Sequence, residues 1–234
     1  MPVKLSVVII TKNEEQIIKK AVDSALFASE VLVLDSGSND KTCQIAMDSG
    51  ARVEYQEWLG YGMQKNKAID LASNDWVMVL DSDEVITQEL REEITSKIGN
   101  LQFDGFYVPR LNNFFGKNIR FGGLYPDYSI RLFNKKKGRF NNAKVHESVI
   151  IHGRVGKLKN HMTHQAYSNI DEFINKQKKY AALSIKENSM LKAFASPLWV
   201  FTKMYFIRLG FLDGWRGVVI AYVYAKYTFW KYSK

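Results

Sequence analysis

The sequence predicts an α/β fold: a mostly parallel sheet flanked by helices, followed by a helical, aromatic and basic C-terminal extension. Three observations carry that expectation. Short β-rich apolar runs alternate with segments of helical period as far as Leu80, the pattern of right-handed βαβ units. Several of the runs end in polar or acidic residues, and ligands of open α/β sheets bind beyond the carboxyl ends of the strands. From Asn169 the composition shifts to Lys, Tyr, Phe and Trp.

Leu5 to Ile10 is a β-branched run suited to a buried first strand. Thr11-Lys-Asn-Glu14 has the spacing of a capping box, and a helix is expected from Glu14, with Ile17, Ile18, Ala21, Val22, Ala25 and Leu26 on one face. Glu30 to Asp35 reads as a second strand ending in an acid, and the polar turn Ser36 to Thr42 opens another helix. Ala51 to Tyr55 is a third strand, and a helix runs from Gly60 to Leu71. Trp76 to Asp81 is a continuous apolar run, as in a strand covered on both faces, and Thr87 is placed to cap the next helix.

In the second half, Asp104 to Pro109 and Ile130 to Phe133 are strand candidates. Between them, Arg110 to Gly123 reads as a hairpin or mobile loop, with Phe114, Phe115 and Phe121 either ordinary core or an aromatic platform for a ligand. Phe173, Ile174, Gln177, Tyr180, Ala181 and Ser184 describe a helix face. Pro197 then introduces Leu198 to Gly210, and an aromatic stretch runs from Val218 to Tyr232. The expected division is a catalytic domain over 1–168 and a helical region over 169–234.

Composition narrows the partners. The 234 residues are 46% hydrophobic and 24% charged, an ordinary globular balance, yet Lys and Arg outnumber Asp and Glu by nine. With a pI near 9.4, that excess points to anionic partners: nucleic acid, phosphorylated ligands or an acidic membrane surface. A single Cys43 excludes an intrachain disulfide, and no Cys/His cluster spells a zinc site. The Leu5–Ile10 run is too short for a signal peptide, and no apolar stretch approaches the roughly 18 residues of a membrane span. A soluble or peripheral protein in a reducing cytosol is the expectation.

The acids carry the chemistry. Asp81 and Asp83 stand where the fourth strand leaves the sheet, and an Asp-x-Asp turn can offer two oxygen ligands to Mg²⁺ or Mn²⁺. The bland alternative is that they end a strand and start a helix. Asp35 is either a nucleotide-contacting acid or a turn-capping one, and the polar stretch Thr11 to Glu14, including Asn13, shares its rim. Gly60, Gly62, Lys65 and Asn66 at a helix start suit a pyrophosphate. No GxGxxG follows the first strand and no GxxxxGK[ST] occurs, which argues against a dinucleotide site or a P-loop.

Taken as a set, Ser6-Val-Val-Ile-Ile-Thr-Lys-Asn-Glu14, Val33-Leu-Asp-Ser-Gly-Ser-Asn-Asp-Lys-Thr42, Gln64-Lys-Asn-Lys-Ala68 and Val79-Leu-Asp-Ser-Asp-Glu84 resemble the successive motifs of family 2 glycosyltransferases with the GT-A fold. Tyr125-Pro-Asp-Tyr-Ser-Ile-Arg-Leu-Phe133 and Lys144-Val-His-Glu147 are similar to the subgroup of lipopolysaccharide-core β-1,4-glucosyltransferases. The resemblance implies a nucleotide-diphosphate sugar donor, with UDP-glucose favoured, a Mg²⁺ or Mn²⁺ ion, inversion at the anomeric carbon and a lipid-linked oligosaccharide acceptor. It places Thr11, Glu14 and Asp35 at the uridine, Lys65 at the phosphates, Asp81 at ribose or metal, and Asp83 as principal metal ligand. It also makes Asp127 the candidate general base, the alternative being a plain turn acid after Pro126. Arg131 either faces the phosphates or pairs with an acid. His146 completes the metal shell or contacts the β-phosphate, and Glu147 holds an acceptor hydroxyl or is itself the base. Nucleic acid then drops out of the expected partners. The C-terminal helices either lie on an anionic membrane surface or pack against the domain or a second subunit. A sugar-phosphate nucleotidyltransferase and an inactive sugar-binding or scaffold protein are the alternatives.

Overall fold

The computed structural model describes residues 2–98, 102–141, 147–183 and 190–233. The chain gathers into two compact units, Met1–Arg110 with Tyr128–His164, and Leu111–Asp127 with Gln165–Lys234. Its first part runs β1 (Val3–Thr11), α1 (Ile18–Ala25), β2 (Ala28–Asp35), α2 (Thr42–Asp48), β3 (Arg52–Tyr55), α3 (Tyr61–Leu71), β4 (Trp76–Asp81), β5 (Glu84–Ile86) and α4 (Gln88–Lys97). There follow β6 (Gly105–Phe114), β7 (Lys117–Asn118), β8 (Asp127–Asn134), β9 (Gly138–Phe140), β10 (Val149–Ile151), β11 (Val155–Lys157) and β12 (Met162–Tyr167). Helices α5 (Ile170–Leu183), α6 (Met190–Thr202) and α7 (Trp215–Tyr232) close the chain, the last two joined through a π-helical turn and a 3₁₀ turn.

The sheet order is β3-β2-β1-β4-β8-β6-β12-β5, with the first four strands parallel and β8 antiparallel to β4. This is the predicted α/β class. The continuous apolar runs have the expected cause, burial on both faces. Val7, Ile9, Met78 and Leu80 pack on one side with Ile18, Ala21 and Val22 of α1. Val8, Ile10, Val77 and Val79 pack on the other with Ala68 and Ile69 of α3.

Local differences from the sequence reading have physical reasons. The capping box at Thr11 and Glu14 does not form, because Thr11 is still strand and its carbonyl pairs with the Ser36 amide at 3.0 Å. Helix α1 opens four residues later than expected, after Glu14 has accepted from the Ile17 and Ile18 amides through its backbone carbonyl. Thr87 does cap α4, its hydroxyl accepting from the Leu90 amide at 3.2 Å. Pro197 sits inside α6 rather than opening a new segment.

In the second unit, Arg110–Gly123 resolves as a hairpin of β6 and β7 closed at Phe115 and Gly116, both at positive φ. Phe114 is core: its ring lies 5.0 Å from Tyr167 and 5.3 Å from Phe173, in a cluster completed by Ile220 and Val223 of α7. The buried Asp213 accepts from the Phe121 amide at 2.9 Å, fixing the turn before α7 to the chain beyond β7.

At the end of the sheet away from the acids, Glu30 joins three parallel strands. It accepts from the Ser6 hydroxyl, from the Ser73 amide at 2.7 Å and from Arg52 at 2.9 Å. Burial alone would raise this carboxyl, but those donors outweigh it and push it down to about 2. Its stabilisation is therefore present above the unfolded value of about 4.3 and is lost as pH falls from there towards the folded value. Glu30→Gln is expected to cost about 1–3 kcal/mol at neutral pH. Its stability should also fall less steeply than the parent's over that acid window, which urea unfolding at stepped pH measures. Parallel pH profiles would refute the assignment.

Candidate active site

The parallel register sets the site. Thr11 lies opposite Asp35 and Ile10 opposite Asp81, so the ends of β1, β2 and β4 stand side by side. Asp35 is buried and organises its own turn, accepting from the Gly37 amide at 2.8 Å, the Ser38 amide at 2.9 Å and the Ser38 hydroxyl. Asn13, at φ 56°, clasps the same loop: its amide donates to Ser38 Oγ and its Oδ1 accepts from the Asn39 amide, both at 2.8 Å. The Thr11 hydroxyl is buried beside them with no hydrogen-bond partner. Buried polar atoms are seldom left so, and an orphan at a strand-end rim marks a place for a ligand's polar edge.

Asp81 is held between two buried cations. Lys65 Nζ of α3 lies 3.0 Å from Oδ1 and Arg131 Nη2 of β8 lies 2.9 Å from Oδ2. The set extends outward, with Lys65 also 3.0 Å from Glu147 and Arg131 2.7 Å from the fully buried Glu84. Glu84 in turn takes Arg110 at 3.2 Å and the Asp81 amide at 2.9 Å. Burial would raise the Asp81 carboxyl, but Arg131 first and Lys65 second hold it well below the usual carboxylate range. Burial raises the Glu84 carboxyl, and the Asp81 charge adds to the rise, against Arg131 and Arg110.

Asp83 is in a different setting. It lies in the turn between β4 and β5, over a third exposed, with Oδ2 3.3 Å from His164 Nε2. The antiparallel pairing of β12 with β5 brings His164 there. Glu14 senses the same charge: burial first, then Asp83 and Asp40, raise its carboxyl above the ordinary range. Asp83 and His164 thus set an exposed carboxylate beside a largely buried imidazole. No group of three or more acid, His or Cys side chains arranged for a metal occurs among the described residues.

Comparison with known proteins places the chain in a family. Residues 6–155, from within β1 to the start of β11, match the family model described as glycosyl transferase family 2. The chain belongs to glycosyltransferase family 2. It is 32% identical to a glycosyltransferase of Rickettsia typhi, over 99% of this chain and 86% of that one. It is 31% identical to the lipopolysaccharide core biosynthesis glycosyltransferase LpsC of Rhizobium meliloti, over 96% of this chain and 89% of LpsC. Among solved structures, S. aureus TarS superposes with a TM-score of 0.50 at 17% identity, covering 78% of this chain and 39% of TarS, a likeness of fold. The protein is thus a family 2 glycosyltransferase of the GT-A α/β class.

Around the strand ends the structure gathers most of the predicted residues: Thr11, Asn13, Glu14 and Asp35 in one set, Lys65, Asp81, Arg131 and Glu147 in another, with Asp83 between. Gly62 serves packing, since a Cβ there would stand 2.4 Å from the Asn141 carbonyl oxygen. Asn66 exchanges two side-chain hydrogen bonds with the Phe140 backbone, both at 2.9 Å. Asp127 opens β8, the strand that carries Arg131 further along, and belongs to the second unit. His146 lies outside the described residues. Glu84, Arg110 and His164 were not among the predicted site residues. Glu84 alone carried a local signal, standing directly after Asp-x-Asp.

Removing one partner of a buried ion network strands the charges left behind. Arg131→Leu leaves Glu84 facing Arg110 and Asp81 facing Lys65, and is expected to lower the unfolding free energy by about 3–5 kcal/mol. Urea denaturation measures it; a loss below about 1 kcal/mol, the range of exposed pairs, would show that the network contributes little.

Proposed function

We propose that this family 2 glycosyltransferase moves a hexose from a nucleotide-diphosphate donor, UDP-glucose, to a hydroxyl of a lipid-linked core oligosaccharide, inverting the anomeric carbon. The likeness to LpsC over nearly the whole chain carries the acceptor class. The donor rests on the motif resemblance, supported by the partnerless Thr11 hydroxyl beside Asp35. In this reading Thr11, Asn13, Glu14 and Asp35 form the nucleoside pocket, with Asp35 holding its loop in shape. Gly62 lets α3 start close to the Asn141 carbonyl and to Glu147.

The donor set fits a Mg²⁺ or Mn²⁺ ion. Asp83 is accessible, His164 stands beside it, and the Asp83 and Asp40 charges add to burial in raising the nearby Glu14 carboxyl. Mg²⁺ commonly takes one or two carboxylates and completes its shell with water and substrate phosphates. Asp83 would be the principal ligand, Asp81 a second-rank one, with His164 or His146 supplying nitrogen. When bound, such an ion offsets the charge that develops on the departing diphosphate. Lys65 and Arg131 hold the Asp81 carboxylate in one orientation and add positive potential for the diphosphate. Glu147, tied to Lys65, orients that cation and the acceptor, while Asp127 takes the proton from the attacking hydroxyl.

Two tests address this reading. Asp83→Asn is expected to abolish metal-dependent release of UDP and to remove metal-assisted UDP binding in calorimetry, with His164→Ala weakening both. Parent-like turnover by Asp83→Asn after chelator treatment would defeat the metal assignment.

For the base, Asp127→Asn should reduce kcat by about 10²–10⁴-fold with donor affinity nearly unchanged. Glu147→Gln should act more on acceptor KM. Single-turnover rates at saturating donor and varied acceptor separate the two. A preserved rate in Asp127→Asn with loss in Glu147→Gln would exchange the roles.

A further inference from the structure

The second unit exposes apolar side chains that its own core does not need. On α7 one face, Ile220 and Val223, enters the aromatic cluster, while Trp215, Val218 and Tyr222, spaced three and four apart, share the opposite, exposed face. The turns before α7 expose Phe206, Ile207, Phe211 and Leu212, with Ile207 60% exposed. On α6, which packs against α7, Leu198 is 70% exposed. So many exposed large apolar side chains within one helical hairpin mark an interaction site rather than ordinary surface scatter.

The charges say what covers it. From Met190 to Lys234 there are seven Lys or Arg and one acid, Asp213, and that acid is buried against backbone amides. Arg208 is exposed within the turn, Lys203 stands half-buried before it, and Lys226 lies 4.8 Å over the Tyr222 ring on α7. Aromatic and aliphatic side chains ringed by cations match the boundary between acyl chains and anionic headgroups. A symmetric second copy would instead set like charges against each other. No helix among the described residues is long and apolar enough to cross a bilayer, so the contact is interfacial.

We propose that the α6–α7 hairpin docks on an anionic lipid bilayer, its turns from Lys203 to Asp213 dipping Phe206, Ile207, Phe211 and Leu212 into the headgroup–acyl boundary. Lys203, Arg208 and Lys226 face the lipid phosphates. This deepens the lipid-linked acceptor reading by giving the enzyme a surface for the membrane that holds such an acceptor. Its test uses empty vesicles without donor, metal or acceptor, so the outcome does not depend on the transferase assignment.

The experiment is co-sedimentation of the full chain with phosphatidylcholine vesicles, with and without phosphatidylglycerol, across a salt series. Binding should require the anionic lipid and weaken as salt shortens the roughly 8–10 Å screening length. Tryptophan emission should shift to the blue on binding, from Trp215 in the exposed face. Ile207→Ser with Leu212→Ser should reduce partitioning about tenfold or more, given the transfer free energy of such side chains. Should that pair disturb folding by circular dichroism, Lys203→Glu with Lys226→Glu supplies an independent test, expected to abolish the preference for anionic vesicles. Absence of binding at low salt, or equal binding by folded variants, overturns the proposal. So does a dimer in sedimentation velocity that the serine variants dissociate while vesicle binding persists.

Discussion

Asp81 is the constraint on which the first unit's rim depends. Its carboxylate is shared between Lys65 on α3 and Arg131 on β8, and the chain of partners continues to Glu147, Glu84 and Arg110. Three carboxylates face three cations, and desolvating such groups is expensive unless every member is paired. The network therefore tolerates only one arrangement of the elements that supply it. The end of β4, the start of β5 and the body of β8 are fixed relative to α3 to within hydrogen-bond distance. Any substrate group meeting this rim meets it in a preset geometry, which is where electrostatic preorganisation comes from.

How far this was legible in the sequence depended on whether the cause was local. Strand β4 could be read residue for residue, because burial on both faces leaves an uninterrupted apolar run from Trp76 to Leu80. Thr87 could be read as a cap because capping is decided within four residues. The supposed capping box at Thr11 failed for a non-local reason: β2 lies alongside, and its turn claims the Thr11 carbonyl for Ser36. The motif set gave the acids, whereas the partners that hold them come from far along the chain. Glu84 meets Arg131 across 47 positions, and His164 reaches Asp83 only because β12 pairs with β5. A lone His in a polar stretch carries no sign of that pairing.

The second unit is stabilised in another way. Where the first relies on a two-faced sheet and a buried ion network, the second centres on rings: Tyr167 lies 4.5 Å from Phe173, and Tyr224 5.6 Å from the same ring. Phe173 is fully enclosed there. Sequence alone left the hairpin aromatics open between core and sugar platform, since a Phe at the end of a strand has the same composition either way. Burial of Phe114 among Tyr167, Phe173, Ile220 and Val223 settles it as core. The remaining aromatics of α6 and α7 then stand out by contrast, because a core already complete has no use for Leu198 or Ile207.

The two acids of Asp-x-Asp are chemically alike and only two residues apart, yet the fold gives them opposite environments. Asp81 has a cation on each oxygen and is held far below the usual carboxylate range, so it is ionised and already engaged. A divalent ion at Asp81 would have to share it with Lys65 or Arg131, accepting repulsion at close range. Asp83 is accessible, beside an imidazole that is itself a ligand type, and close enough to Glu14 to raise that carboxyl. Under the proposed function this division assigns the metal mainly to Asp83 and leaves Asp81 to set the rim's geometry and potential. Exchanging the two environments would give a strand end that binds metal only by breaking its own ion network. The position of β5, which puts Glu84 beneath Asp81 and leaves Asp83 in the open turn, prevents that.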